Sequence, residues 1–441
     1  MNFLETVWWL LLLIGVMILI HELGHFWAAR FFDVKVEAFS FGFGPRLFGF
    51  RRGETDFRFS LILFGGYVKM AGEQVGEEGA ADPRSFLAKP RWQRMIIAFA
   101  GPLMNIILAV VLVTGLYMVR YPKVPMSPSP RIGFVVADGA AAQAGIREGD
   151  RILKIDDIDN PTWEDITLKE IAGAKKAISF LIERDGRQQA LQITPGYDDK
   201  TNAGTLGWAQ EMPVHVAGVE PGMGAEKAGM RKGDVVTAVN GTPIRSTLKL
   251  HELIKASAGK PVEVKYRRQD EELAAMVTPA LKTVEGITRY FIGVQLESPV
   301  TFVALPFTEA LSESVRQNYK SAGLIFQFLR GIVERRMSPK SLEGPIRIAQ
   351  ISTDAAHEGP ASFVGLMAMV SLNLAVFNLL PIPILDGGVI MLLLVEMLMR
   401  RDLSMNVKEA VFKVGFVFLM MVVAFVIYND ISKVFLTKSG G

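Results

Sequence analysis

The chain has 441 residues, half of them hydrophobic, with a mean hydropathy of +0.28 and a formal net charge of +3. It is too apolar for an ordinary soluble protein and too long for one domain, so it reads as a membrane protein carrying a water-soluble insert. The small charge, with no basic tract or basic–aromatic stripe, excludes nucleic acid as an expected partner. The absence of cysteine excludes disulfides and thiolate metal sites, leaving His, Asp and Glu as possible metal ligands.

Residues 7–20 carry no charged side chain, and residues 1–6 hold no Lys or Arg and no following small-residue cleavage site. The stretch therefore reads as a retained transmembrane helix rather than a signal peptide. Over residues 4–32 such a helix is roughly 43 Å long, more than the ~30 Å hydrocarbon core. Toward its carboxyl end stands His21-Glu22-Leu23-Gly24-His25. An ionisable group inside a membrane helix costs about 2.5–3.5 kcal/mol on insertion scales, so three in five residues need a compensating partner, and a metal ion is one. Positions i and i+4 share a helix face, which lets His21 and His25 present ring nitrogens to one Zn2+ with Glu22 beside the attacking water. The plainer alternative is a polar patch lining a helix bundle.

Residues 30–94 hold Arg30, Lys35, Arg51, Arg52, Lys89, Arg91 and Arg94. The positive-inside rule places this loop in the cytoplasm and the amino terminus outside. Within it Phe39, Phe41 and Phe43 alternate with Ser40 and Gly42, and Phe57 and Phe59 alternate with Arg58 and Ser60 about a turn at Arg52-Gly53-Glu54. That alternation predicts an apolar β-hairpin, either resting on the bilayer or offering an open strand edge to an extended substrate segment. Residues 95–119 are uncharged and long enough to span, with Gly101-Pro102 loosening the helix and Asn105 a lone polar group to be satisfied by packing against other helices. Residues 121–130 are a Pro-rich linker leading out of the membrane.

The composition then turns soluble and a repeat appears. Ala144-Gly145-Ile146-Arg147-Glu148-Gly149-Asp150 recurs 84 residues later as Ala228-Gly229-Met230-Arg231-Lys232-Gly233-Asp234, each copy before a strand-like run and after an apolar strand with Gly. The pattern resembles two PDZ domains, in which a Gly-rich loop and a strand edge receive an extended peptide or its terminal carboxylate; a pair of spacers with closed grooves is the alternative. His215 and His251, in a strand and a helix of the second copy, read as ordinary solvated or packed residues. Residues 306–337 form an amphipathic helix too charged to span. Residues 363–380 are the third span, and with the repeats outside it must run inward, which brings Asp386 to the same depth as His25.

In Asn378-Leu379-Leu380-Pro381-Ile382-Pro383-Ile384-Leu385-Asp386-Gly387-Gly388 two prolines break the helix and the glycines free the turn, which is tolerated at membrane depth only where backbone is buried in protein or lines a wet cavity. A carboxylate there points to function, and Asp386 is the candidate third zinc ligand; an Asp capping the next apolar stretch is the alternative. Glu396 reads as packed or interfacial. Lys413 reads as snorkelling at the start of a last span over 411–428, whose preceding loop is kept inside by Arg400, Arg401 and Lys408.

With these residues in view the chain resembles the site-2 proteases, the intramembrane zinc metalloproteases, over nearly its whole length. The likeness rests on the H-E-x-x-H helix, the Phe- and Gly-rich hairpin, Gly-Pro-x-x-Asn at 101–105, the tandem repeat and N-x-x-P-x-P-x-L-D-G at 378–387. The resemblance implies one Zn2+ per chain held by His21, His25 and Asp386, with Glu22 as catalytic base and Asn378 touching substrate backbone. It also implies a bacterial inner-membrane location, with periplasmic PDZ domains and an active site toward the cytoplasm. The implied substrates are single-pass membrane proteins, such as an anti-sigma factor already trimmed outside or a remnant signal peptide, and the implied role of the PDZ pair is to exclude those with bulky outer domains.

The expected architecture is a multi-pass α-helical membrane protein of four transmembrane helices with a membrane-associated β-hairpin and two tandem α+β PDZ domains. It divides into the first span (1–32), a cytoplasmic loop with the hairpin (33–94), the second span (95–120), PDZ domains (121–208 and 209–300), an amphipathic helical linker (301–360), the third segment with the Asp motif (361–400) and the last span with its tail (401–441). Two other functions compete. A membrane-anchored PDZ adaptor with a structural metal would need four protein ligands, where three are found. A zinc transporter would leave the repeat and the Pro-x-Pro break without a purpose.

Overall fold

The computed structural model describes residues 3–73, 82–123, 130–198, 203–284, 287–296 and 301–439. Its helices are α1 (Phe3–Phe31), α2 (Arg91–Arg120), α3 (Ala140–Gln143), α4 (Trp163–Ala172), α5 (Gly224–Lys227), α6 (Thr247–Ala256), α7 (Phe307–Val333), α8 (Pro345–Glu358), α9 (Pro360–Asn378), α10 (Asp386–Met399) and α11 (Met405–Ser439). The chain divides into a unit of residues 1–121, 303–326 and 339–441 and a unit of 122–302 and 327–338. Most of the expected Pro-rich linker, residues 124–129, lies outside the described residues.

In the first unit four helices are long and apolar enough to cross a membrane: α1, α2, α9 and the Asn406–Ser432 stretch of α11. Only helices or closed barrels satisfy their backbone groups in lipid, so these runs fold as they must. Leu13 and Met17 of α1 pack with Ala355 of α8 and with Phe363 and Leu366 of α9, while Ala109 of α2 packs with Leu372 and Val376 of α9 and with Ala322 and Ile325 of α7. The charged α7 also lies against α2 through Ser314, whose Oγ donates to the Val110 carbonyl at 2.8 Å.

Helix α8 lies within the stretch expected as a helical linker. It is capped from far along the chain: the Asp430 carboxylate of α11 accepts from the amides of Gly344, Ile346 and Arg347 at 2.9, 3.0 and 3.2 Å. This remote cap satisfies amides that a helix leaves orphaned at its start. Glu396 is packed, 1% exposed, with Lys408 Nζ at 2.6 Å, whereas Lys413 is exposed with Glu409 at 3.3 Å.

The loop's sheet is more than a hairpin. Strands β1 (Val36–Arg52) and β2 (Thr55–Met70) turn at Gly53 as expected, but both curl, and the front half of β1 is paired on two sides. Phe39 faces Val68 and also Phe57; the pairing of Ala38–Phe41 with Asp56–Phe59 runs parallel, since both numbers rise together. The order across the sheet is therefore Gly66–Met70, Ala38–Phe41, Asp56–Phe59, Arg46–Arg52. Alternating apolarity marks strands but not a strand folding back on itself. The far edge exposes Leu47, Phe48 and Phe50, and Leu61 and Ile62 are exposed as well, an apolar surface suited to lipid.

The third apolar segment is broken as predicted. After α9 the chain turns through residues 379–385, where Ile384 holds φ +88°, a strained conformation for a β-branched residue, and α10 follows. At 14 residues α10 is about 21 Å long and too short to span. The role of the glycines differs from the expectation. Neither Gly387 nor Gly388 has a positive φ; instead a Cβ on either would lie 2.3 Å from a carbonyl oxygen of Leu379, Leu380 or Ile382. Their bareness lets the first turn of α10 close onto the broken segment.

The second unit holds two copies of one small α+β fold. Every major element recurs with the 84-residue offset: strand Arg151–Ile155 as Val235–Val239, α4 as α6, Ile178–Arg184 as Val262–Arg268, Arg187–Ile193 as Glu271–Val277. The cores correspond in the same way, with Ile152, Ile166 and Ile193 matched by Val236, Leu250 and Val277. Each copy closes its Gly-rich turn with an ion pair missed by the motif alone. Arg184 grips Asp150 at 2.6 Å and the Gly145 carbonyl at 2.7 Å, and Arg268 grips Asp234 at 2.7 Å and the Gly229 carbonyl at 2.8 Å.

One helix position places a buried carboxylate in the first copy alone. Glu170 of α4 accepts from the Leu206 amide at 2.6 Å and from Trp208 Nε1 at 3.0 Å, whereas α6 has the buried Ile254 at the equivalent position. Burial, opposed by these two bonds, pushes the Glu170 carboxyl above the usual range. The folded chain thus holds that proton more tightly than the unfolded one. The resulting stability is full below about pH 4.3 and falls as pH rises through the folded value. Glu170→Gln should flatten this fall, read as melting temperature against pH; an unchanged slope would reject the assignment.

Candidate metal centre

Helix α1 carries His21 and His25 one turn apart, and α10 brings Asp386 to face them as its first residue, with Leu385 as the cap. The capping alternative for Asp386 is therefore not the geometry found. His21 Nε2 lies 3.2 Å from His25 Nε2 and 3.2 Å from Asp386 Oδ2, and His25 Nε2 lies 3.5 Å from Asp386 Oδ1. Ligand atoms on a tetrahedron with ~2.0–2.1 Å bonds stand about 3.3 Å apart, so the three donors fit one zinc-sized ion. These residues form a potential metal-holding group whose donor atoms lie within 4.8 Å of one another.

Helix α2 supports both imidazoles. His25 Nδ1 donates to the Ile97 carbonyl at 2.8 Å, leaving Nε2 for the metal, and the Asn105 amide lies 3.3 Å from His21 Nδ1. Between these contacts, on the same face of α2, is Gly101. A Cβ there would come within 2.2 Å of His25 Nε2 and 2.9 Å of His21 Cε1. On α1, Gly24 is equally bare, since a Cβ would meet the Ala100 carbonyl oxygen at 2.3 Å. The two helices cross at van der Waals contact because both residues lack side chains. Gly101→Ala should therefore displace the His25 ring and lower bound metal about 10–100-fold, the usual penalty for disturbing a ligand's surroundings. Metal analysis of the purified variant checks this, and full occupancy would contradict it.

Glu22 stands beside the triad and outside it. It is half-buried, its carboxylate accepts from the Val68 backbone, and it is close enough to both histidines and Asp386 to interact electrostatically. Gly66 packs on it, at a distance where a Cβ would lie 2.9 Å from Glu22 Cγ. The inner edge of the sheet and the carboxylate thus share one side of α1. Asn378 is half-buried at the end of α9, and among the described contacts no hydrogen bond joins it to the triad. Sequence reading did not reveal the Ile97 carbonyl, the close fit of Gly101 or the Val68 contact. The Gly-Pro-x-x-Asn run was the visible signal for Gly101 alone.

Two imidazoles and a carboxylate converging among membrane-spanning helices, with a second carboxylate alongside, define a membrane-embedded metallohydrolase site. The chain belongs to Peptidase family M50, whose model it matches over residues 9–422. It is 31% identical to the regulator of sigma-E protease RseP of Salmonella typhimurium (95% of this chain, 97% of the relative). It is 30% identical to protease RseP of Yersinia pestis with the same coverage, and 28% identical to the regulator of sigma-E protease RseP of Escherichia coli over 95% and 97%. Family and site together make it a multi-pass membrane metalloprotease, as the resemblance to site-2 proteases led us to expect.

Proposed function

We propose that this protease binds one Zn2+ through His21, His25 and Asp386 and hydrolyses a peptide bond within or near the transmembrane segment of single-pass membrane proteins. The observation that carries the reading is the triangle of three donors with Glu22 beside it. Three protein ligands are the number used by catalytic zinc, whereas a structural site, as in the competing adaptor reading, takes four. When bound, zinc polarises the scissile carbonyl and makes water acidic enough to lose a proton near neutral pH.

The chain's own groups do the rest. Glu22, held by Val68, removes a proton from the attacking water and passes it to the leaving amine. A substrate helix hides its carbonyls in its own hydrogen bonds and must unwind locally before attack. The sheet edge at Gly66–Met70 adjoins Glu22 and suits an unwound segment by strand addition, with Asn378 as a further contact to its backbone. The carbonyls freed by Pro381 and Pro383 suit a wet, protein-lined break at membrane depth.

The duplicated fold supports two PDZ domains, approximately 121–208 and 209–300, able to take an extended peptide end. Basic residues on the sheet loop and before α11 support an inner-membrane topology with these domains periplasmic and the metal centre toward the cytoplasm. The relatives are named regulators of sigma-E, which fits the anti-sigma factor that the site-2 resemblance implies as one substrate; remnant signal peptides are another of the same single-pass class. A cleavage assay on a membrane-spanning reporter, run with and without a zinc chelator, tests the proposal. Chelator-sensitive cutting in or beside the span is expected, and cutting that persists without metal would overturn it.

A further inference from the structure

We infer that Asn105 is a positioning residue that accepts the Nδ1–H of His21 through its side-chain carbonyl, so that His21 Nε2 is left free to hold the metal. The inference rests on the zinc reading above.

Asn105 is completely buried in α2. Its Nδ2 lies 3.3 Å from His21 Nδ1 while its Oδ1 has no partner among the described residues. An orphaned carbonyl oxygen in a buried amide is costly, and the two ends of an asparagine amide are distinguished only by the bonds they make. This orientation also conflicts with the rest of the site. If Nδ2 donates to His21 Nδ1, the ring hydrogen must sit on Nε2, the atom that faces His25 and Asp386 at 3.2 Å. Turning the amide by half a rotation gives Oδ1 a donor and leaves a lone pair on Nε2; the unpartnered position passes to Nδ2, so the ring hydrogen rather than the number of bonds decides between the two orientations.

The other imidazole shows the same chemistry already in place. His25 Nδ1 is 2.8 Å from the Ile97 carbonyl, which can only accept, so its hydrogen is fixed on Nδ1. Ile97 and Asn105 lie two turns apart on one face of α2, on either side of the Gly101 that packs on both rings. One helix therefore sets the ring hydrogens of both candidate ligands, the arrangement by which outer groups orient metal-binding histidines. Asn105 is itself held, since Ser371 of α9 donates to its backbone carbonyl at 2.9 Å.

The test compares zinc affinity, by competition with a chromogenic chelator, in the purified full chain and in Asn105→Asp and Asn105→Leu. Aspartate accepts whichever way it turns, and leucine keeps the volume without accepting. Asp should bind zinc at or above the wild-type level and Leu about 10–100-fold more weakly. A donor role predicts the opposite grouping, so Asp as weak as Leu, or Leu equal to wild type, would overturn the inference. Should the Leu variant fail to fold, Asn105→Asp decides alone: zinc affinity at or above the wild-type level supports the assignment and affinity about 10-fold or more below it refutes it. A wild-type chain that takes up no zinc would instead overturn the metal reading, and this inference with it.

Discussion

Glu22→Gln is expected to abolish cleavage of a membrane-spanning reporter while the purified chain keeps its full complement of metal. The substitution alters one property. Glutamine has the same shape, its Oε1 can still accept from the Val68 backbone, and Gly66 still leaves it room. What it lacks is the ability to take a proton. General acid–base groups typically supply about 10²–10⁴ in rate, and here the same group serves both the attack and the departure of the amine, so the loss falls at the upper end. Metal content separates the possible failures. Glu22 is not one of the three converging donors, so loss of zinc would make it a ligand, and undiminished turnover with zinc retained would end the base assignment.

The two halves of the centre were legible in the sequence for different reasons. His21 and His25 could be placed because a four-residue spacing on a helix fixes a shared face without any tertiary information. Asp386 could be placed because a carboxylate after Pro381 and Pro383, in an apolar segment, needs a reason to be there. That they meet at 3.2–3.5 Å is tertiary; the count of membrane crossings gave only a shared depth. The repeat showed itself through its glycine turns, yet the arginines that close those turns, Arg184 and Arg268, sit 34 residues beyond their aspartates and carry no local mark. The start of helix α8 was invisible for the same reason, its cap Asp430 lying 84 residues away. The Phe-rich stretch announced strands by alternation, but the parallel pairing within the sheet depends on curvature at its glycines rather than on hydrophobic pattern.

Removal of a ligand should produce the largest loss of metal. Asp386→Ala deletes the only charged donor of the three, and His25→Ala deletes the ring gripped by Ile97, so both should lower zinc affinity by at least about 100-fold, beyond the effect of disturbing a supporting contact. Asp386 carries an additional argument, because it sits in the first turn of α10, where any acidic residue favours the helix. If that were its role, Asp386→Glu would preserve it fully and Asp386→Ala would cost only about 0.3–1 kcal/mol of stability with metal unchanged. As a ligand it behaves differently. Glutamate is one methylene longer, and the loop behind it is held by Pro383 against Gly415, where even a Cβ would come within 2.4 Å, so the backbone cannot retreat to accommodate the extra length. Metal analysis of the Ala and Glu variants therefore distinguishes the roles: both depleted marks a ligand, and both fully loaded marks a helix terminus that merely points at two histidines.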